Sequence, residues 1–207
     1  MKYISALLLI LILSGVDASY AQEEKKPFIR KGLIRSMATI SQGIVMQDGL
    51  SITLHGTLEY YVADNVSLRG DSYYFLPKQN NGPEIGPFEY NHAILSGASY
   101  HFKTKNNFDP YLAFEPGVAI TKGQDNYFLF KEGQQALYLH PAGNATVNPL
   151  LSSALGFNLY FQRWFHLFGE VRYMTGKYLS HAAAPLSLNE LRFSFGLGFN
   201  LNLLKNK

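Results

Sequence analysis

Leu191-Arg192-Phe193-Ser194-Phe195-Gly196-Leu197-Gly198-Phe199-Asn200-Leu201-Asn202-Leu203 puts a large apolar residue at every odd position and a polar or very small one at every even position. Side chains of a strand alternate between its faces, so one face is Leu and Phe throughout while the other carries Arg192, Ser194, Gly196, Gly198, Asn200 and Asn202. Half of a soluble sandwich could be written in this way. The rest of the chain argues otherwise, because the same alternation recurs in segment after segment with no amphipathic helix between them, behind an export signal. An outward apolar band around a polar interior predicts an all-β fold, a closed antiparallel eight-stranded transmembrane β-barrel.

The export signal is the run from Ile4 to Leu13, preceded by Lys2 and followed by the small-x-small site Ser19-Tyr20-Ala21. The run is too short to cross a bilayer as a helix, so residues 1–21 read as a cleaved signal peptide. A short charged periplasmic stub over 22–31, the barrel over 32–203 and a tail over 204–207 complete the expected organisation, with the barrel as the whole mature protein. Cysteine is absent, which excludes disulfides, thiolate metal sites and a lipid-modified cysteine. Charged residues make up only 16% while aromatics reach 14%, a composition suited to a wall that faces hydrocarbon at its middle and headgroups at its rims. A net charge of +3 gives no argument for nucleic acid. No cofactor or metal is expected: Gly123-Gln124-Asp125-Asn126 offers too few carboxylates for calcium.

Eight strand-like runs are expected at about 31 to 46, 50 to 62, 65 to 76, 92 to 103, 109 to 121, 150 to 162, 164 to 176 and 190 to 203. The connections alternate. Those near 63–65, 103–109 and 162–163 are short, while 77–91, 122–149 and 177–189 are long and rich in Gly, Pro and Asn. That arrangement places the short side in the periplasm and leaves the three long loops as possible contacts for an unidentified surface ligand. The first hairpin departs from it, with a tight Asp48-Gly49 turn on the long-loop side.

Period-two reading assigns Ile52, Leu54, Leu58, Leu68, Tyr74, Leu112, Phe114, Leu155, Phe157, Val171 and Tyr173 to the outside. Inside fall Glu59, Arg69, Asp71, Glu115, Glu170, Arg172 and Arg192, which are expected to form a lumen charge network, because an eight-stranded interior is only wide enough to be filled by side chains. His55, His101 and His166 also fall inside. A hydrolase would need a hydroxyl beside a histidine oriented by a carboxylate, and His55, Thr57 and Glu59 share a face, as do Ser99 and His101. Any polar-in strand produces that spacing, so lumen packing is the preferred reading. A lipid-modifying hydrolase and a narrow pore are the alternatives.

Leu54-His55-Gly56-Thr57-Leu58-Glu59-Tyr60-Tyr61, Ser67 to Phe75, Phe168-Gly169-Glu170-Val171-Arg172-Tyr173 and the Phe/Gly-rich segment Phe193 to Leu201 resemble the small outer-membrane barrel proteins of the OmpA/OmpX-like superfamily, especially Bacteroidetes-type forms. The resemblance implies residence in the outer membrane of a Gram-negative cell envelope, contact with outer-membrane lipid, delivery by the barrel-assembly machinery, and a non-enzymatic structural or surface-interaction role. Many members of this wider group end in an aromatic residue that resembles the assembly signal. This chain runs on to Lys207, so the signal is either the upstream Phe199 or missing.

Overall fold

The computed structural model describes residues 31–45, 49–76, 88–104, 107–123, 126–131, 134–139, 144–162, 164–179 and 187–202. The expected signal peptide, nearly all of the stub, the Gln47-Asp48 turn, large parts of the three long loops and the 204–207 tail lie outside the described residues. Ten strands are present among the described residues: β1 (Leu33–Val45), β2 (Gly49–Ala63), β3 (Val66–Phe75), β4 (Phe88–His101), β5 (Phe108–Gly123), β6 (Asn126–Lys131), β7 (Gln134–Leu139), β8 (Thr146–Tyr160), β9 (Phe165–Gly176) and β10 (Glu190–Asn202). No helix occurs among the described residues.

Eight of these strands close a barrel in the order β1-β10-β9-β8-β5-β4-β3-β2, every neighbouring pair being antiparallel, while β6 and β7 pair with each other in a separate two-stranded sheet. Closure removes the free edges that long apolar strands would otherwise expose. Register partners taken in turn from Ile34 run through Tyr60, Leu68, Ala98, Phe114, Ser153, Tyr173 and Leu191 and return to β1 at Ile44. The ring therefore closes ten residues further along the strand it left. Such a stagger tilts the strands and fixes a narrow interior.

Several expected boundaries move. The first strand is shorter than 31–46, the fourth begins at Phe88 rather than 92, and the sixth barrel strand begins at Thr146 rather than 150. Near the long-loop end the alternation gives way to mixed residues such as Glu89-Tyr90-Asn91 and Thr146-Val147-Asn148, yet the ladders continue there and fix the strands. The segment 122–149 is likewise more than an irregular loop, since β5 runs on to Gly123 and β6 and β7 form a further hairpin.

The wall separates cleanly by face. Leu54, Leu58, Leu68, Leu112, Phe114, Leu155, Val171, Phe193, Phe195 and Leu197 are exposed, whereas the alternate residues are buried inside. Exposed Tyr60, Tyr100, Phe102, Phe108, Trp164, Phe165 and Phe199 cluster where strands meet the short turns, the place of an interfacial aromatic girdle. The interior departs from a uniformly polar filling. At the long-loop end it is mixed: Tyr73, Phe88, Ala93, Leu95, Ala119, Leu150, Met174 and Leu188 form one buried apolar cluster, with Tyr178 packed against it, beside the buried polar Ser51, Asn91, Thr121, Asn148 and Glu190.

Candidate functional site

Among the described residues the lumen is where these strands bring most chemistry-bearing side chains together, and it is ordered in levels from the short-turn end upward. At that end Arg35 of β1 ion-pairs with Glu59 and reaches Asp109 at 3.3 Å, and its Nη1 donates to the Tyr160 hydroxyl at 3.2 Å. His101 stands between the two acids, Nε2 3.0 Å from Glu59 and Nδ1 2.9 Å from Asp109. Only a ring protonated on both nitrogens can donate to both carboxylates. Asn158 donates to Asp109 at 2.9 Å and Ser67 donates to Glu59.

At mid-barrel, two arginines share three acids. Arg172 lies 2.7 Å from Asp71, 2.5 Å from Glu115 and 2.9 Å from Glu170, and Arg69 lies 2.8 Å from Asp71 and 2.5 Å from Glu170. Tyr111 donates to Glu170 at 2.8 Å, and the Arg69 guanidinium lies 5.3 Å over its ring. Above them Arg192 pairs with Glu190 at 2.7 Å and lies 4.3 Å over Tyr73. Gly43 leaves room beside this upper pair, since a Cβ there would fall 1.8 Å from a Glu190 carboxylate oxygen and force that side chain to shift. Among the described residues the lumen thus holds four buried arginines and six buried carboxylates, each acid within 4 Å of an arginine.

Glu59, Arg69, Asp71, Glu115, Glu170, Arg172 and Arg192 are all buried inside, in three groups rather than one, and Glu59 stands apart from the mid-barrel acids. His55 joins the mid-barrel group and His101 the turn-end group, while His166 packs among rings, 5.5 Å from Tyr160 and 6.5 Å from Phe168. Sequence reasoning missed Arg35, Asp109 and Glu190. Arg35 lies in a strand with small residues on both faces, and the other two are the first residues of the expected runs 109 to 121 and 190 to 203, beside the connections. The usable signal was phase: each lies an even number of residues from an inward neighbour on its own strand.

One arrangement inside the mid-barrel group has the residue types of an acyl-transfer relay. His55 Nε2 meets Asp71 at 2.7 Å and Nδ1 meets the Ser194 hydroxyl at 3.2 Å, with Ser194 donating to Ser41 at 2.9 Å. Ser194 is only 5% exposed, inside the barrel and below the apolar cap.

The fold is that of the small eight-stranded outer-membrane β-barrels. OprG from Pseudomonas aeruginosa matches with a TM-score of 0.59 at 10% identity over 84% of this chain and 97% of its own. Ail, the attachment invasion locus protein of Yersinia pestis, matches at 0.53 and 13%, covering 83% and 99%, and a second Ail structure holds the heparin analogue sucrose octasulfate. Neisserial surface protein A matches at 0.52 and 12%, covering 83% and 96%. No protein-family model matches the chain, and no curated relative does.

Proposed function

We propose that this protein is a sealed, non-enzymatic barrel of the outer membrane, exported by the 1–21 signal and delivered by the barrel-assembly machinery, with a structural or surface-interaction role. The observation that carries this reading is the filled lumen, in which charges are paired below and apolar side chains close the channel above. A lumen so filled leaves two working surfaces, the lipid-facing wall and the loop end. The ligand of Ail gives a precedent for surface recognition by this fold, and loops 77–91, 122–149 and 177–189 are the counterpart here. Reconstitution in planar bilayers tests the seal. Wild-type protein should be electrically silent, and a steady single-channel conductance would replace this reading with the narrow pore.

The Ser194-His55-Asp71 geometry favours the hydrolase as the second reading. One feature weighs against it: the serine side chain is buried inside the barrel, beneath the apolar cluster. Phospholipid turnover in vesicles that is abolished by Ser194→Ala would establish it.

A further inference from the structure

The lipid-facing wall carries a groove of about 740 Å³, and a concavity is unexpected on the convex exterior of a barrel. Its course follows one row of register partners. Pro110 of β5 is opposite Phe157 of β8, Phe157 is opposite Gly169 of β9, and Gly169 is opposite Phe195 of β10. Ile40 of β1 continues the row, facing Phe195 by the register of the flanking pairs Met37–Gly198 and Ser41–Ser194. Gly169 makes the hollow because it contributes no side chain at the centre of the row. Phe157 leans over it, so that a Cβ there would lie 2.8 Å from the ring. The neighbouring row of Leu155, Val171, Phe193 and Gln42 forms one bank.

Length and position identify the occupant. Five strands spaced by roughly 4.8 Å give a row about 19 Å long, running obliquely through the wall. It starts at Phe108 and Pro110, among the first residues of β5 after a short turn, and ends at Ile40, near the middle of β1, and Gln42, three residues before its end. It therefore begins at the aromatic rim and stops partway up the wall, a span suited to one leaflet, about 15 Å of a 30 Å hydrocarbon core. Exposed Lys103 follows Phe102, whose N–H donates to the Pro110 carbonyl at 2.9 Å, so it adjoins the rim end, where a lipid phosphate would lie.

We propose that this groove seats one acyl chain of a glycerophospholipid from the short-turn leaflet, with the lipid phosphate near Lys103. The inference rests on the membrane reading above. The full-length protein would be folded into mixed phosphatidylglycerol and phosphatidylcholine vesicles, extracted into mild detergent and weighed by native mass spectrometry, with heat-modifiable gel migration read on the same samples. Wild type should keep one phospholipid per chain. Gly169→Leu and Val171→Trp, which fill the groove, should lose it. Gly70→Leu should keep it, because Gly70 lies on β3, outside the groove, where an added Cβ meets only the Leu95 carbonyl at 3.8 Å. If Gly169→Leu fails to fold, Val171→Trp decides. A wild type that does not insert would bring down the membrane reading and this inference with it. If the proteins insert but no phospholipid is retained, or if the groove variants retain it as well as wild type does, the groove is ordinary annular surface and only this inference falls.

Discussion

The two parts of the lumen solve one problem with different physics. Toward the short turns, arginines and acids interlock through Arg35, Arg69 and Arg172, whereas toward the loops the same channel is closed by Leu95, Leu150, Met174 and their neighbours. A buried ion network holds its geometry strictly, because losing one member strands its partners in a medium that cannot solvate them. An apolar cluster loses only contacts and transfer energy when a side chain is trimmed, and it can relax. The difference teaches that the ionic part should tolerate less change than the apolar cluster.

Replacing a network hub should break this contrast most sharply. Arg172→Met leaves Asp71, Glu115 and Glu170 with one arginine fewer, and a loss of about 3 to 5 kcal/mol is expected. Urea unfolding in vesicles, followed through the single tryptophan Trp164, would measure it. A smaller loss, about 2 to 4 kcal/mol, is expected when a charge is placed on the outer wall by Leu197→Arg, read as failure to acquire the heat-modifiable folded band. Behaviour equal to wild type would mean that Leu197 does not meet hydrocarbon.

In the cap, Leu150→Ala should cost about 2 kcal/mol, the low end for a buried leucine, because the cluster lies at the end of the barrel where neighbours can close in. The same urea titration ranks it against Arg172→Met, and an equal or larger loss would erase the distinction between the two parts. The smallest effect is expected at their junction. Tyr73 belongs to the cap cluster, lies under Arg192 and stacks on His55 at 4.1 Å, yet its buried hydroxyl has no hydrogen-bond partner among the described residues. Tyr73→Phe should therefore change stability by less than about 1 kcal/mol, with a gain as the expected sign. A loss above that would reveal a partner for the hydroxyl.

These regions differed in how plainly the sequence announced them. Strand β10 shows its phase at every residue from Leu191 to Asn202, and in β2 Leu54 and Leu58 alternate with His55, Thr57 and Glu59, so closure and charge placement could be read directly. The cap could not. Leu95, Leu150 and Met174 are as apolar as wall residues, and adjacent apolar pairs such as Ile94-Leu95 and Leu150-Leu151 give no phase. Alternation locates faces by contrast and fails where both faces are apolar. Arg35 was hidden for the opposite reason, since Ser36, Ala38, Thr39, Ser41 and Gly43 surround it with small residues on both faces. The partition of charges into separate groups depends on which strands meet across the channel, which no single strand encodes.

The ten-residue return of the register makes strand length a shared property of the ring. A single residue inserted into one strand would exchange its wall and lumen faces beyond that point, unless a bulge absorbed it. A pair would preserve the faces but alter the stagger that all eight strands must close together. The connections at the long-loop end carry no such constraint. Insertions and deletions should thus accumulate there and be nearly absent between Leu33 and Asn202 outside the loops, so a library that varies loop length while holding every strand fixed could diversify the surface without disturbing the barrel.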